Sequence, residues 1–362
     1  MITRVDKSGE RRVSGASNIG TDTGTDTAAL LRVAFGGRPE APIRVRPDAP
    51  PVARWLAAVA LGARGRYAAA TALLAGLHGQ PAVDPAVRAH AAVTRAAHLR
   101  QAGGHLAARR WDGLGLAMAT APSATAALGR AAAGGAAGLE SADAADGAGL
   151  DLAAARVDAL LGLAADAIGL SDLELAERLL RLAEPAALDH PSWRPGVRWH
   201  WVRAELALSR DRPEPALELA HRALAGARAA GAVRHEVKSA IVLAVAEAGS
   251  GRETEKVIAD LSALSERTRQ TGLWTLEWPI QMLLASLIGD VDPGQSTTHR
   301  SRAGQIVSTI SLHSDPITRS VLSRSPWVPT LAETKLLHLD PYHPAEKRRS
   351  AHSSRMECKN KP

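Results

Sequence analysis

The chain has 362 residues, of which 46% are hydrophobic and 22% are charged, so it holds enough apolar material for one large core or two smaller ones. A protein that is disordered throughout is therefore excluded. Only 3% of the residues are aromatic while alanine is abundant. Alanine favours helices, whereas β-branched and aromatic residues favour strands. This composition argues against an all-β fold and predicts an all-α one.

The formal net charge of +7 is spread unevenly along the chain. The excess of lysine and arginine lies in residues 1–51 and 341–362, and the sequence between them is almost neutral. A nucleic-acid interface needs its cations gathered on the folded part of a protein. We therefore do not expect DNA or RNA among the partners.

Three features predict a cytoplasmic protein without a membrane partner. Cys358 is the single cysteine, so the sequence has no disulfide framework and no thiolate metal site. The polar amino-terminal residues lack the apolar core of a secretory signal. The longest apolar stretch, residues 152–170, contains three charged residues and is too short to cross a bilayer.

The first 51 residues have the composition of a leader without a fold of its own. They contain a doubled Gly-Thr-Asp-Thr sequence at Gly20–Thr27 and a run of prolines, with little apolar periodicity. Such a composition cannot bury enough apolar surface to offset the entropy of ordering. The sequence predicts a disordered leader over residues 1–51.

From Val52 onward, apolar residues recur three and four positions apart, with breaks at glycine or proline, which is typical of stacked helices. The segment from residue 55 to residue 74 resembles a tetratricopeptide repeat. In that family an aromatic residue and a small residue mark the first helix, a Gly-x-aromatic turn follows, and a small residue lets the second helix pack closely. The matching residues are Trp55, Ala58, Gly65, Tyr67 and Ala70.

Four further segments align with the first. Their residues at the small position of the second helix are Ala108, Ala176, Ala216 and Lys256, at successive spacings of 38, 68, 40 and 40 residues. These spacings exceed the unit of about 34 residues in the family. The resemblance covers residues 52 to about 290, and it implies antiparallel helix pairs stacked as a right-handed solenoid with disordered tails.

Composition also divides the chain into blocks. Residues 119–149 are rich in alanine, glycine and serine, which predicts a flexible insertion between helical repeats at 52–118 and 150–290. Residues 291–330 contain an Asp-Pro helix start and are expected to form capping helices. Residues 331–362 show no periodicity and are expected to be a disordered basic tail.

No motif in the sequence specifies a reaction. The Gly-Leu-Gly sequence at Gly113 opens like a dinucleotide-binding fingerprint, but a helical pattern precedes it where a strand is required. No Gly-rich loop ends in Lys-Ser or Lys-Thr, and no two histidines lie four residues apart on a helix. We therefore expect no enzyme activity, no catalytic residue, no cofactor and no metal.

The resemblance implies a groove lined by the first helix of each pair. Stacked in this way, the chain would act as a non-catalytic scaffold that binds a protein or peptide partner. Two alternatives stay open, namely the sensor or effector part of a transcription regulatory system and an enzyme built on a helical scaffold. The tryptophans of the groove could equally fill the space between helices. The candidate groove residues are Trp55, His90, Arg100, Arg198, Trp201, Glu205 and Lys238.

Overall fold

The computed structural model describes residues 26–46, 48–121, 147–289, 291–326 and 328–329. Within these ranges the chain is all-α and contains no strand. In chain order the helices are α1 (Thr27–Ala34), α2 (Pro51–Ala63), α3 (Tyr67–Leu74), α4 (Pro85–Gln101), α5 (His105–Thr120), α6 (Leu152–Gly169), α7 (Leu173–Leu188), α8 (Trp193–Ser209), α9 (Pro213–Ala229), α10 (Val233–Gly249), α11 (Thr254–Thr271), α12 (Trp274–Ile288), α13 (Pro293–Leu312) and α14 (Pro316–Arg324).

Aspartate side chains start many of these helices. Each accepts a hydrogen bond from a backbone N–H of the first turn, which has no partner inside the helix. In three of them a proline follows, where its fixed backbone angle suits the first helical position. The capping residues are Asp26, Asp84, Asp151, Asp172, Asp292 and Asp315.

The helices from α2 to α13 pack in six adjacent pairs. Within each pair the two helices contact each other, and the second helix also contacts the first helix of the next pair. The first helices, α2, α4, α6, α8, α10 and α12, contact their neighbours along a continuous row. This confirms the prediction of an all-α fold with helices packed pair by pair, an arrangement that is compatible with a helical repeat.

The five aligned segments each form a helix pair with a left-handed residue in its turn. Glycine adopts a positive φ without strain, and the two non-glycine residues at this position are exceptions to that preference. The turn residues are Gly65, Gly103, Ser171, Asp211 and Gly251, with φ of 71°, 81°, 62°, 54° and 72°.

The small position of the second helix follows the prediction in four pairs and departs from it in the fifth. Ala70, Ala108, Ala176 and Ala216 are completely buried, which allows close packing of the helices. Lys256 is exposed and pairs with Asp260. Its neighbour Val257 is buried instead, so the alignment of the fifth segment is displaced by one residue.

The described part of the predicted leader is ordered, which corrects that expectation. Residues 27–34 form α1, and Leu30, Leu31 and Phe35 are buried in a core shared with α2, α3 and α4. Packing on α2 removes the apolar residues of this short helix from water. Too few apolar residues precede the prolines to produce a recognisable helical period in the sequence. Residues 1–25 of the leader, 122–146 of the predicted insertion and the tail at 331–362 lie outside the described residues.

The two ends of the row of helix pairs contact each other. The Thr275 hydroxyl of α12 donates a hydrogen bond of 2.9 Å to the carbonyl of Ala63 in α2. The Ala68 amide of α3 donates one of 2.8 Å to the carbonyl of His313, which follows α13. Helix α2 therefore has neighbours on every side, and several of its residues are completely buried: Ala53, Leu56, Ala57 and Ala58.

Candidate functional site

The chain's own residues 35–46 lie along one side of the row of first helices, which we call the inner face. The Phe35 ring centroid lies 5.9 Å from that of Trp55 in α2 and 6.0 Å from that of His235 in α10. The guanidinium carbon of Arg194 in α8 lies 5.0 Å from the Phe35 centroid. Phe35 thus contacts three first helices that are distant in sequence.

Two of the candidate groove residues are buried beneath this segment. The rings of Trp55 and His90 stack with their centroids 4.6 Å apart, and each residue is only 2% exposed. The Trp55 indole donates to the hydroxyl of Thr94 over 2.8 Å. These side chains are therefore part of the core between α2 and α4.

Two arginines and one aspartate form a polar group beside Phe35, which we call the arginine cluster: Arg194, Arg198 and Asp158. The Asp158 carboxylate pairs with Arg194 Nη1 and with Arg198 Nη1, each at 2.5 Å. Arg194 also donates to the carbonyls of Ala148 and Gly149. Asp158 is 2% exposed, and although burial raises its pKa, the two arginines outweigh this and hold the pKa below its usual value.

A further arginine, Arg234, has no such partner. Arg234 lies in the first turn of α10 and forms no hydrogen bond or ion pair with any residue that the structure describes. Burial, together with repulsion by Arg198, lowers the pKa of Arg234 to about 10. Its neighbour His235 is 3% exposed, its Nδ1 has no hydrogen-bond partner in the described chain, and burial keeps its pKa well below its usual value.

A second buried ionic group joins α4, α5 and α6. Arg100 pairs with Asp112 and with Asp166, and the distance from Arg100 Nε to Asp166 Oδ1 is 2.8 Å. His105 Nδ1 lies 3.3 Å from the same oxygen. Both aspartates are completely buried. The guanidinium of Arg100 on α4 therefore connects α4 with both α5 and α6.

Glycines on α6 make room for these side chains. A Cβ at Gly162 would overlap the carboxyl of Asp112, and a Cβ at Gly169 would overlap the ring of His105. The two glycines lie seven residues apart and therefore share one helix face. Burial, with the charge of Asp166 nearby, raises the pKa of Asp112 well above its usual value despite Arg100.

Four of the candidate groove residues come together on α8 and α10 and remain partly exposed: Arg198, Trp201, Glu205 and Lys238. Lys238 Nζ lies 2.7 Å from Glu205 Oε1. The Trp201 ring stacks on His235 with the centroids 5.2 Å apart, and its indole donates to Ser239 over 2.7 Å. Arg100, the remaining candidate, belongs to the buried ionic group that joins α4, α5 and α6.

The candidate residues predicted from the sequence do not include the aspartates that hold these groups together. Asp158 and Asp166 interrupt the apolar stretch at 152–170. In the sequence, their charges serve only as evidence that this stretch does not span a membrane. A carboxylate inside an otherwise buried helix needs a cationic partner, which is a signal that the sequence does contain. The identity of those partners depends on packing between α4, α5, α6 and α8.

The site offers hydrogen-bond donors and aromatic surface. Among the described residues no cluster of histidine, cysteine, aspartate and glutamate could hold a metal ion. Within the same ranges no helix is both long and apolar enough to cross a membrane.

No protein-family model matches the chain, and no curated protein matches its sequence.

Proposed function

We propose that the protein is a tetratricopeptide-like scaffold, stacked as a right-handed solenoid, that binds a segment of a partner protein on its inner face without catalysis. Six helix pairs, five of which have a left-handed residue in the aligned turn, support the kinship with helical-repeat scaffolds. In such stacks each first helix adds side chains to one continuous surface.

The observation that carries the proposal is the way in which this face already holds a stretch of non-helical chain. The Arg64 guanidinium donates to the carbonyls of Pro39 and Ala41. The Val233 amide donates to the carbonyl of Gly36 over 3.3 Å. These bonds recognise the main chain, so the same kind of surface suits a peptide segment from another protein.

The partly exposed residues of α8 and α10 supply the second part of the site. Trp201 offers apolar area, and Arg198 offers charge-assisted hydrogen bonds, which are the residue types that contribute most at interfaces. The Glu205–Lys238 ion pair lies beside them, with each side chain about one third exposed. A partner segment bound here would extend the surface that residues 35–46 occupy.

The test uses a random-peptide library displayed on phage and selected against the full-length protein. Selected peptides are then titrated against the double variant Glu205→Ala with Lys238→Ala. Removal of both partners leaves no unpaired charge, and an exposed pair contributes little to stability. We expect affinity to fall by about tenfold or more, equivalent to about 1.4 kcal/mol.

The matched control is Glu218→Ala with Arg222→Ala, which removes an exposed ion pair from α9. The control variant should bind the selected peptides as the wild type does. If no peptide is enriched, or if both double variants bind equally well, the inner face is not a peptide site.

A further inference from the structure

Residues 35–46, which we call the strap, lie on the inner face and belong to no helix. Phe35 and Pro39 are buried, and the other residues of the strap keep part of their surface exposed. From residue 41 to residue 46, half-buried and exposed residues alternate, which is the pattern of an extended chain lying on a surface. The half-buried residues are all apolar and pack on the core beneath: Ala41, Ile43 and Val45.

Two donors of the inner face bind the main chain of the strap. The Val233 amide donates to the carbonyl of Gly36. Val233 is the first residue of α10, so this amide has no partner inside the helix. The Arg64 guanidinium donates to the carbonyls of Pro39 and Ala41. Carbonyls are present in every peptide, so none of these bonds depends on the side chains of the strap.

Side-chain selectivity comes from the place that Phe35 occupies. Phe35 is the only phenylalanine in the chain. Its ring lies against Trp55 of α2 and His235 of α10, and Arg194 of α8 lies over its face. Aromatic pairs and cation–π contacts of this kind favour a ring over an aliphatic side chain. The inner face therefore suits an aromatic residue that is followed by an extended segment.

The strap can leave this face without the helix that precedes it. Helix α1 packs on α2 through its own buried residues, among them Leu30 and Leu31, so it stays in place when the strap lifts. Lifting uncovers the rings of Trp55 and His235 and the donors of Arg64. An open form is therefore disfavoured until another ring and other carbonyls replace those of the strap.

We propose that the strap is a displaceable occupant of a site for an extended segment headed by an aromatic residue, and that the partner's segment takes its place. This rests on the proposed function and adds what the partner segment contains. The strap is tethered, so it competes at a high effective concentration. The partner's apparent affinity is then reduced to the fraction of molecules in which the strap is open.

The first test measures, by fluorescence anisotropy, binding of a labelled peptide with the sequence of residues 33–46 to the full-length protein. Phe35→Ala weakens the tethered competitor, and the ring of the peptide fills the space that the substitution leaves. We expect this variant to bind the peptide about tenfold or more tightly than the wild type does. A peptide with alanine in place of the phenylalanine should not show this gain.

Two further variants keep the test decisive. Leu74→Ala removes an apolar side chain that is buried in the same core but lies on α3, and it should bind the peptide as the wild type does. Phe35→Leu keeps an apolar side chain without the ring contacts, so it should also bind more tightly than the wild type, even if the alanine variant does not fold. Equal binding by the wild type and the Phe35 variants, or an equal gain in Leu74→Ala, would overturn the proposal.

A second arm uses the peptides that the library selects. Selected peptides should contain an aromatic residue and should compete with the strap peptide for the Phe35 variants. If they bind through Glu205 and Lys238 without competing, the proposed function stands and the displaceable strap fails. If the strap peptide binds the Phe35 variants as expected but the library yields no peptide on the wild type or on these variants, the displaceable strap stands and the proposed function fails.

Discussion

Single glycines decide how closely α5 can approach α6. Because a Cβ at Gly162 would overlap the Asp112 carboxyl, we expect Gly162→Ala to lower the free energy of unfolding by about 1 to 3 kcal/mol. Gly113 lies on α5, and a Cβ there would meet no atom within 4 Å. Gly113→Ala should therefore raise stability by about 0.5 to 1 kcal/mol. Urea denaturation of both variants checks the prediction, which fails if the two substitutions have the same sign.

The buried histidines predict a loss of stability in acid. Burial, with the charge of Arg95 nearby, lowers the pKa of His98 to about 3. The unfolded chain then binds more protons than the folded one as the pH falls from about 6.5. This contribution of neutral His98 is complete above that pH, and it decreases by about 1.4 kcal/mol for each pH unit below it. His90, with a pKa lowered by burial to about 4, acts in the same direction.

The raised pKa of Asp112 gives the opposite dependence, so the test compares slopes between variants. We expect His98→Gln to remove about 1.4 kcal/mol per pH unit from the slope of unfolding free energy between pH 6.5 and 4. His221→Gln, at an exposed position on α9, should keep the wild-type slope. Urea denaturation at a series of pH values measures both, and identical slopes for His98→Gln and the wild type would contradict the assignment.

Residue identities alone could not place these groups. The helix faces of Arg198, Trp201 and Glu205 follow from their spacing of three and four, and the structure keeps them on one side of α8. Their partners, Asp158 and Lys238, come from helices 40 and 33 residues away in the chain. Periodicity within one helix carries no information on which other helix it contacts. The partners in these ion pairs therefore follow from the three-dimensional packing and not from the sequence.

At the scale of helices, α14 depends on a single aspartate. Asp315 caps α14 and also pairs with Arg95 of α4 through two hydrogen bonds of 3.0 Å. Arg95 is only 5% exposed, so loss of its partner leaves a buried cation. We expect Asp315→Ala to lower the free energy of unfolding by about 3 to 5 kcal/mol. Tryptic cleavage at Arg319 and Arg324 should accelerate, which limited proteolysis measures.

Asp292 provides the comparison for this cap. It also precedes a proline and starts a helix, α13, but its carboxylate accepts hydrogen bonds from the first turn of that helix and pairs with no described residue of another helix. Asp292→Ala should therefore destabilise the protein less than Asp315→Ala and leave cleavage in α14 unchanged. Equal losses of unfolding free energy in the two variants would show that the loss comes from helix capping and not from the contact with Arg95.

Helix boundaries can be predicted from local sequence signals, whereas the docking of a helix on a distant one cannot. Turns at Gly65, Gly103 and Gly251 can be recognised in the sequence because glycine and the flanking patterns are short-range features. Helix α1 cannot, because its apolar residues are buried in a core shared with α2, α3 and α4, which come later in the chain. Asp-Pro at residue 315 indicates the start of α14 but gives no sign of its docking on α4.

At the scale of the whole molecule, contacts between the first and last pairs predict cooperative unfolding. In an open stack each pair contacts only its neighbours, and the ends can unfold separately. Here α2 contacts α12, and the first turn of α3 bonds to the end of α13. We expect far-UV circular dichroism and tryptophan fluorescence to give one coincident transition in urea. Two resolved transitions would show that the closing contacts contribute little.

The closure of the stack also sets a condition on biosynthesis. Ala63 and its partner Thr275 are separated by 212 positions in the chain. At ribosomal rates of roughly 5 to 20 residues per second, α2 waits roughly 10 to 40 s for α12 to emerge. During that interval a helix that is apolar on nearly all sides has one flank uncovered, which favours aggregation of the nascent chain. The latest helices to be made therefore complete the burial of one of the earliest.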